Sequence, residues 1–124
     1  MSAITITVNH ISLSADLNES PTAQQILDNL PIEFSGSLWG EEIYGSIPVD
    51  AASEADARAD VEIGTLAYWP PSSAFCIFYG PTPASNCDQP RAASPVNIVG
   101  CITDDTTVLR HITSGPQVRL DKKV

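Results

Sequence analysis

The fold follows from one stretch near the N-terminus: Ile4-Thr5-Ile6-Thr7-Val8-Asn9-His10-Ile11-Ser12-Leu13-Ser14-Ala15-Asp16-Leu17. Apolar and polar residues alternate on both sides of Asn9-His10, the period of a chain whose successive side chains point to opposite faces. Two half-buried strands are predicted. Asn9 suits the tight connection between them because asparagine tolerates the positive φ such turns require, although the usual glycine at the second position is absent.

The pattern changes at Ser20-Pro21. Serine can accept from an orphan amide at a helix start, and proline at the first helical position has no amide to leave unpaired. Ala23, Ile26, Leu27 and Leu30 follow at i, i+3, i+4 and i+7, one apolar stripe, until Pro31 forbids continuation. A helix over residues 21–30 is predicted. Strand patterning resumes with Ile32 and Phe34, then with Ile43, Gly45, Ile47 and Val49 on one side and Tyr44 and Ser46 on the other. Residues 51–60 offer no large apolar side chain to bury and read as an exposed loop.

Val61, Ile63 and Leu66 to Trp69 flank a turn at Gly64, and Pro70-Pro71 ends that strand. Ala74 to Tyr79 is an unbroken apolar and aromatic run, as expected of a strand buried on both faces. Residues 80–95 read as a long proline-rich loop, Val96 to Ile102 as a further strand, and Gln117 to Leu120 as a closing edge strand. The expected architecture is mainly β: a single domain over residues 1–124, built as a small closed antiparallel β-barrel of about eight strands with one principal α-helix, a β-sandwich being the alternative.

Composition narrows the function classes. The 124 residues carry a formal net charge of −9, with twelve acids against Arg58 alone in residues 1–90. Nucleic-acid phosphates and anionic membranes are poor partners for such a chain. No apolar run reaches the length of a membrane span, and Met1-Ser2-Ala3-Ile4 lacks the basic and apolar regions of a signal peptide, so a cytoplasmic location is expected. Cys76, Cys87 and Cys101 form neither a C-x-x-C pair nor a histidine-bearing metal pattern. With phosphate-cradling glycine loops also missing, neither a metal nor an organic cofactor is expected. Cys76 and Cys101 read as buried thiols and Cys87, among polar neighbours, as a surface thiol.

Candidate chemistry is sparse. His10 and His111 adjoin no nucleophile elbow, which leaves no basis for a serine triad. Glu41-Glu42 reads as a solvated turn, because adjacent strand residues point to opposite faces and cannot share a substrate atom. Asn18-Glu19-Ser20 has the form of a glycosylation acceptor but is accounted for as a turn and helix cap. The aromatics Trp39, Tyr44, Tyr68, Trp69, Phe75, Phe78 and Tyr79 gather around two junctions and the proline-rich loop, a composition that suits an apolar or proline-bearing ligand.

Trp39-Gly40-Glu41-Glu42-Ile43-Tyr44, Val61-Glu62-Ile63-Gly64 with Leu66 to Pro71, Ala74 to Pro83, and Ala93-Ser94 with Val96-Asn97 and Val99-Gly100 together resemble the small prokaryotic cyclophilin-like family, whose members have no assigned activity. The resemblance implies a minimal barrel related to the prolyl isomerase cyclophilins. It also implies that the isomerase groups are depleted. Glu42-Ile43-Tyr44 stands where cyclophilins carry the Phe-His-Arg strand that leads to Gln-Gly-Gly-Asp. Cys76 stands at a pocket phenylalanine, and Val96 where a pocket histidine would align.

The leading functional expectation is therefore a module that binds an extended peptide or small ligand in an outer groove, with little or no isomerase activity. Its candidate ligand-binding residues are Glu42, Tyr44, Trp69, Cys76, Phe78 and Arg91, since strand parity sets Tyr44 with Ser46 and Cys76 with Phe78. The enzyme alternative is a peptidyl-prolyl isomerase that uses Arg91 as a substitute electrophile. A third reading is a structural subunit of a homo-oligomer with an exposed apolar patch.

Overall fold

The computed structural model describes residues 1–123. Strands β1 (Ser2–Val8) and β2 (Ile11–Leu17) form the expected hairpin, with Val8 opposite Ile11 and Asn9 at φ 55°. Ile4, Ile6, Val8, Leu13, Ala15 and Leu17 turn inward and are buried. Helix α1 (Pro21–Asp28) is capped by the Ser20 side chain, which accepts from the Ala23 amide. Asn18 braces that cap: its Oδ1 accepts from the Ser20 hydroxyl at 2.6 Å, and its amide donates to the Ile98 carbonyl. The helix stops at Asp28 rather than residue 30 because the Asn29 amide already turns back to Ile26; Leu27 and Leu30 still pack on the core.

The remaining strands are β3 (Ile32–Ser35), β4 (Ser37–Leu38), β5 (Glu42–Ser46), β6 (Arg58–Asp60), β7 (Thr65–Trp69), β8 (Ala74–Phe78), β9 (Arg91–Ile102) and β10 (Gln117–Lys122). They pair antiparallel in the order β3-β10-β1-β2-β9-β7-β8-β5-β4, with β6 on β9. The sheet thus has ten strands and is not closed, which corrects the expectation of a closed barrel of about eight. Its two end strands, β3 and β4, follow one another in the chain across Gly36 alone. At this seam β3 meets β5 through side-chain packing instead of a backbone ladder. The Phe34 ring sits on Gly45 so closely that an added Cβ would collide with it.

Three further boundaries differ from the sequence reading. β10 is no edge strand, since β1 and β3 flank it. β9 begins at Arg91, so part of the predicted proline-rich loop is strand. Residues 51–57 are irregular and 58–60 pair with β9. What holds this segment is polar. The fully buried Asn97 donates to Thr22 and to the Ala52 carbonyl and accepts from the Glu54 amide, and the Glu54 carboxylate accepts from the Thr22 amide and hydroxyl. Nearby, the Tyr68 hydroxyl donates to the Val49 carbonyl at 2.7 Å and accepts from the Ala51 amide.

β7 and β8 are buried on both faces, as Ala74 to Tyr79 predicts. Leu66, Tyr68, Phe75 and Ile77 enter the main core with Ile43 and Val99, while Ala67, Cys76 and Phe78 join a separate outer cluster with Val61, Ala92 and Val96. That outer cluster is the base on which the candidate site is built. No helix is long and apolar enough to cross a membrane among the described residues.

Candidate functional site

A cavity of about 250 Å³ opens over the outer cluster. Its aromatic wall is Trp39, Tyr44 and Trp69; Cys76, Ala92, Ala93 and Val96 are apolar lining, and Glu42 supplies the one ionisable carboxyl. The positions follow from local structure. Trp39 and Glu42 exchange backbone hydrogen bonds in both directions, at 2.9 and 3.2 Å, forming a tight turn through Gly40-Glu41. Gly40 takes φ 59° there, a conformation that favours glycine. Strand parity keeps Glu42 and Tyr44 on one face of β5, and the register sets Tyr44 opposite Cys76 and Glu42 opposite Phe78 on β8. On β7, the Trp69 indole donates to the Ser94 hydroxyl of β9 at 2.7 Å, which fixes that ring. The small side chains of Ala92 and Ala93 leave the hollow open.

Glu42 is 6% exposed. Burial raises its carboxyl to about 7, and hydrogen bonding from the Cys76 thiol works against that rise. The thiol of Cys76 is in turn pushed well above its ordinary range, first by burial and then by the Glu42 charge and hydrogen bond. Glu41, by contrast, points away and pairs with Arg110 at 3.2 Å. The sequence expectation of a solvated Glu41-Glu42 turn therefore holds only for Glu41, because the hairpin turns Glu42 onto the packed face.

Of the six residues expected at a ligand site, Glu42, Tyr44, Trp69 and Cys76 meet around this cavity. Phe78 does not line it; the ring is fully buried in the cluster beneath. Arg91 lies elsewhere, in a second cleft of about 500 Å³ that also includes Arg58, Asp60, Glu62 and Cys87, and it is tied to Asp60 at 3.3 Å. The alternating β9 strand explains this, since Arg91 pairs across to Asp60 of β6 whereas Ala92 turns to the cavity side. The six omitted Trp39, although it stood among the aromatics read as suiting a ligand, and Val96, although the resemblance set it at a pocket position; Ala92 and Ala93 were missed outright. The Trp-Gly-Glu-Glu turn signal could have added Trp39 to the list; Ala92 and Ala93 required knowing that β9 starts at residue 91. Cys87 is exposed as expected, but Cys101 is exposed as well, on the outward side of β9, and not buried. Among the described residues no group of three His, Cys, Asp or Glu side chains is arranged to hold a metal ion.

The family model for cyclophilin-like proteins matches residues 2–121. The chain belongs to the cyclophilin-like family. This cyclophilin-like chain is similar to a hypothetical protein of Archaeoglobus fulgidus whose solution structure is known. The two share 34% identity and a TM-score of 0.82, with 98% of this chain and 95% of that one covered. A more distant likeness, in fold alone, is to McbB solved in complex with tryptophan, at 20% identity and a TM-score of 0.69. There 97% of this chain is covered but only 44% of McbB, so the cyclophilin-like fold spans less than half of that protein. No curated protein matches the chain.

Proposed function

We propose that this cyclophilin-like protein is a binding module that seats a small, flat apolar group in the Trp39–Tyr44–Trp69 cavity, either as a free small molecule or presented by an extended peptide. The observation that carries the reading is the wall itself: three aromatic side chains around an apolar floor, with a single carboxyl to orient what enters. Ligand sites are commonly of this kind, mostly apolar with a few placed polar groups. At about 250 Å³ the hollow suits one ring or a short side chain rather than a drug-sized molecule.

The same surroundings speak against efficient prolyl isomerisation. Rotation about the X-Pro bond must overcome a barrier of about 18–20 kcal/mol. A donor aimed at the charge that changes in the transition state is typically worth about 2.7–4 kcal/mol. Among the described residues no arginine lines this cavity, and Arg91 is engaged by Asp60 in the neighbouring cleft.

Both tryptophans of the chain line the cavity, so their two indole N–H signals in a proton–nitrogen correlation spectrum report on it directly. Titration with benzyl alcohol, tryptophan and a short proline-bearing peptide is expected to shift both signals saturably for at least one compound. Shifts confined to other resonances, or none at millimolar concentration, would refute the reading. An exchange assay on an X-Pro peptide is expected to show no acceleration of cyclophilin-like efficiency; acceleration abolished by Arg91→Ala would establish the isomerase alternative instead.

A further inference from the structure

Resting on the binding reading above, we infer that the cavity takes an organic cation, an alkylammonium or arylalkylammonium group held among the Trp39, Tyr44 and Trp69 rings with Glu42 as its counter-ion. Three observations lead there. First, Glu42 lines the cavity while 6% exposed, and the side chain whose hydrogen bonding acts on its carboxyl is the weakly donating Cys76 thiol. Second, among the described residues no cation is paired with it from the elements packed around it. Its own strand adds Tyr44, and the adjoining Glu41 pairs with Arg110. From β8 comes Cys76, and the Tyr79 hydroxyl beyond that strand senses Glu41. β7 gives Trp69, and β9 gives Ala92, Ala93 and Val96, with Arg91 turned to Asp60. Third, the rest of the wall is aromatic.

The chemistry selects charge sign. Aromatic faces carry negative potential, so a cage of rings attracts an ammonium group, more strongly where water is excluded. A carboxylate at the base adds a full opposite charge in a low-dielectric setting. A neutral ligand of the same shape gains only the apolar contacts, and an anion is repelled by Glu42. The overall charge of −9 further raises the local concentration of cations. Because a bound ammonium favours the ionised form of Glu42, its binding couples to release of a proton wherever that carboxyl is still protonated.

The test compares benzyltrimethylammonium, a permanent cation, with benzyl alcohol and phenylacetate, each followed through the two indole N–H signals at pH 5.5 and 8.5. At pH 8.5 the cation is expected to bind about tenfold more tightly than the alcohol. Its affinity should fall about tenfold at pH 5.5, while that of the alcohol stays level, and phenylacetate should bind least. Glu42→Gln is expected to abolish both the preference for the cation and its pH dependence. Equal affinity for cation and alcohol at pH 8.5, tighter binding of phenylacetate, or a cation preference that survives Glu42→Gln would each overturn the inference while leaving the cavity a binding site. Failure of all three compounds to shift the indole signals would overturn the binding reading as well. Should the variant not fold, the pH comparison on the unaltered protein decides the matter alone.

Discussion

Glu42→Gln should change how the protein's stability depends on pH, independently of any ligand. In the folded chain burial raises the Glu42 carboxyl from an ordinary 4.5 to about 7. Between those values the folded state keeps a proton that the unfolded chain has released, so stability falls as pH rises through the window and levels off above it. A tenfold difference in proton affinity between the folded and unfolded chain is worth about 1.4 kcal/mol, so ionising Glu42 in its packed setting costs on the order of 3 kcal/mol by pH 8.5. Glutamine carries no such proton and escapes that cost. The expected result is that Glu42→Gln gains about 3 kcal/mol on the unaltered protein between pH 5 and pH 8.5, on the order of 10 °C in melting temperature. Parallel urea or thermal unfolding series across that range measure it. Groups elsewhere, such as the lowered Asp105 and the raised Tyr79, cancel in the difference because both proteins contain them. A variant-minus-parent stability difference that is the same at pH 5 and 8.5 would refute the account of Glu42 as a buried, uncompensated carboxyl.

Other consequences are equally direct. A thiol reagent should label Cys87 and Cys101 quickly and Cys76 only on unfolding, since that thiol is 2% exposed and held protonated; three fast-reacting thiols would contradict the packing beneath Glu42. Gly45→Ala should lower stability by about 1–3 kcal/mol, because its Cβ would strike the Phe34 ring and come within 2.7 Å of the Ser35 carbonyl at the sheet's seam; calorimetry showing an unchanged melting temperature would rule out that contact. Tyr68→Phe should cost about 1–3 kcal/mol by stranding the Val49 carbonyl and Ala51 amide, and should speed hydrogen exchange at Ala51, whereas unaltered exchange would show that the hydroxyl does not anchor the segment.

Several features were legible in the residues alone because their causes are local. Alternation across Asn9-His10 sets side-chain faces whatever lies beyond, and a serine-proline start followed by an i, i+3, i+4, i+7 stripe makes a helix with one buried face. The unbroken run from Ala74 to Tyr79 announced a strand covered on both sides, and parity alone put Tyr44 with Ser46 and Cys76 with Phe78. Tertiary structure decided the rest. Whether a curled sheet closes depends on how its end strands meet, and here the Phe34 ring packed on Gly45 takes the place of a ladder between β3 and β5. The irregular segment after Val49 is ordered by Asn97, Glu54, Thr22 and Tyr68, residues scattered along the chain whose pairing no local pattern encodes. Glu42 shows the limit most clearly. Its sequence neighbours suggest a wet turn, but burial depends on what β7, β8 and β9 lay against it, and burial is what raises its carboxyl and makes the cavity a site.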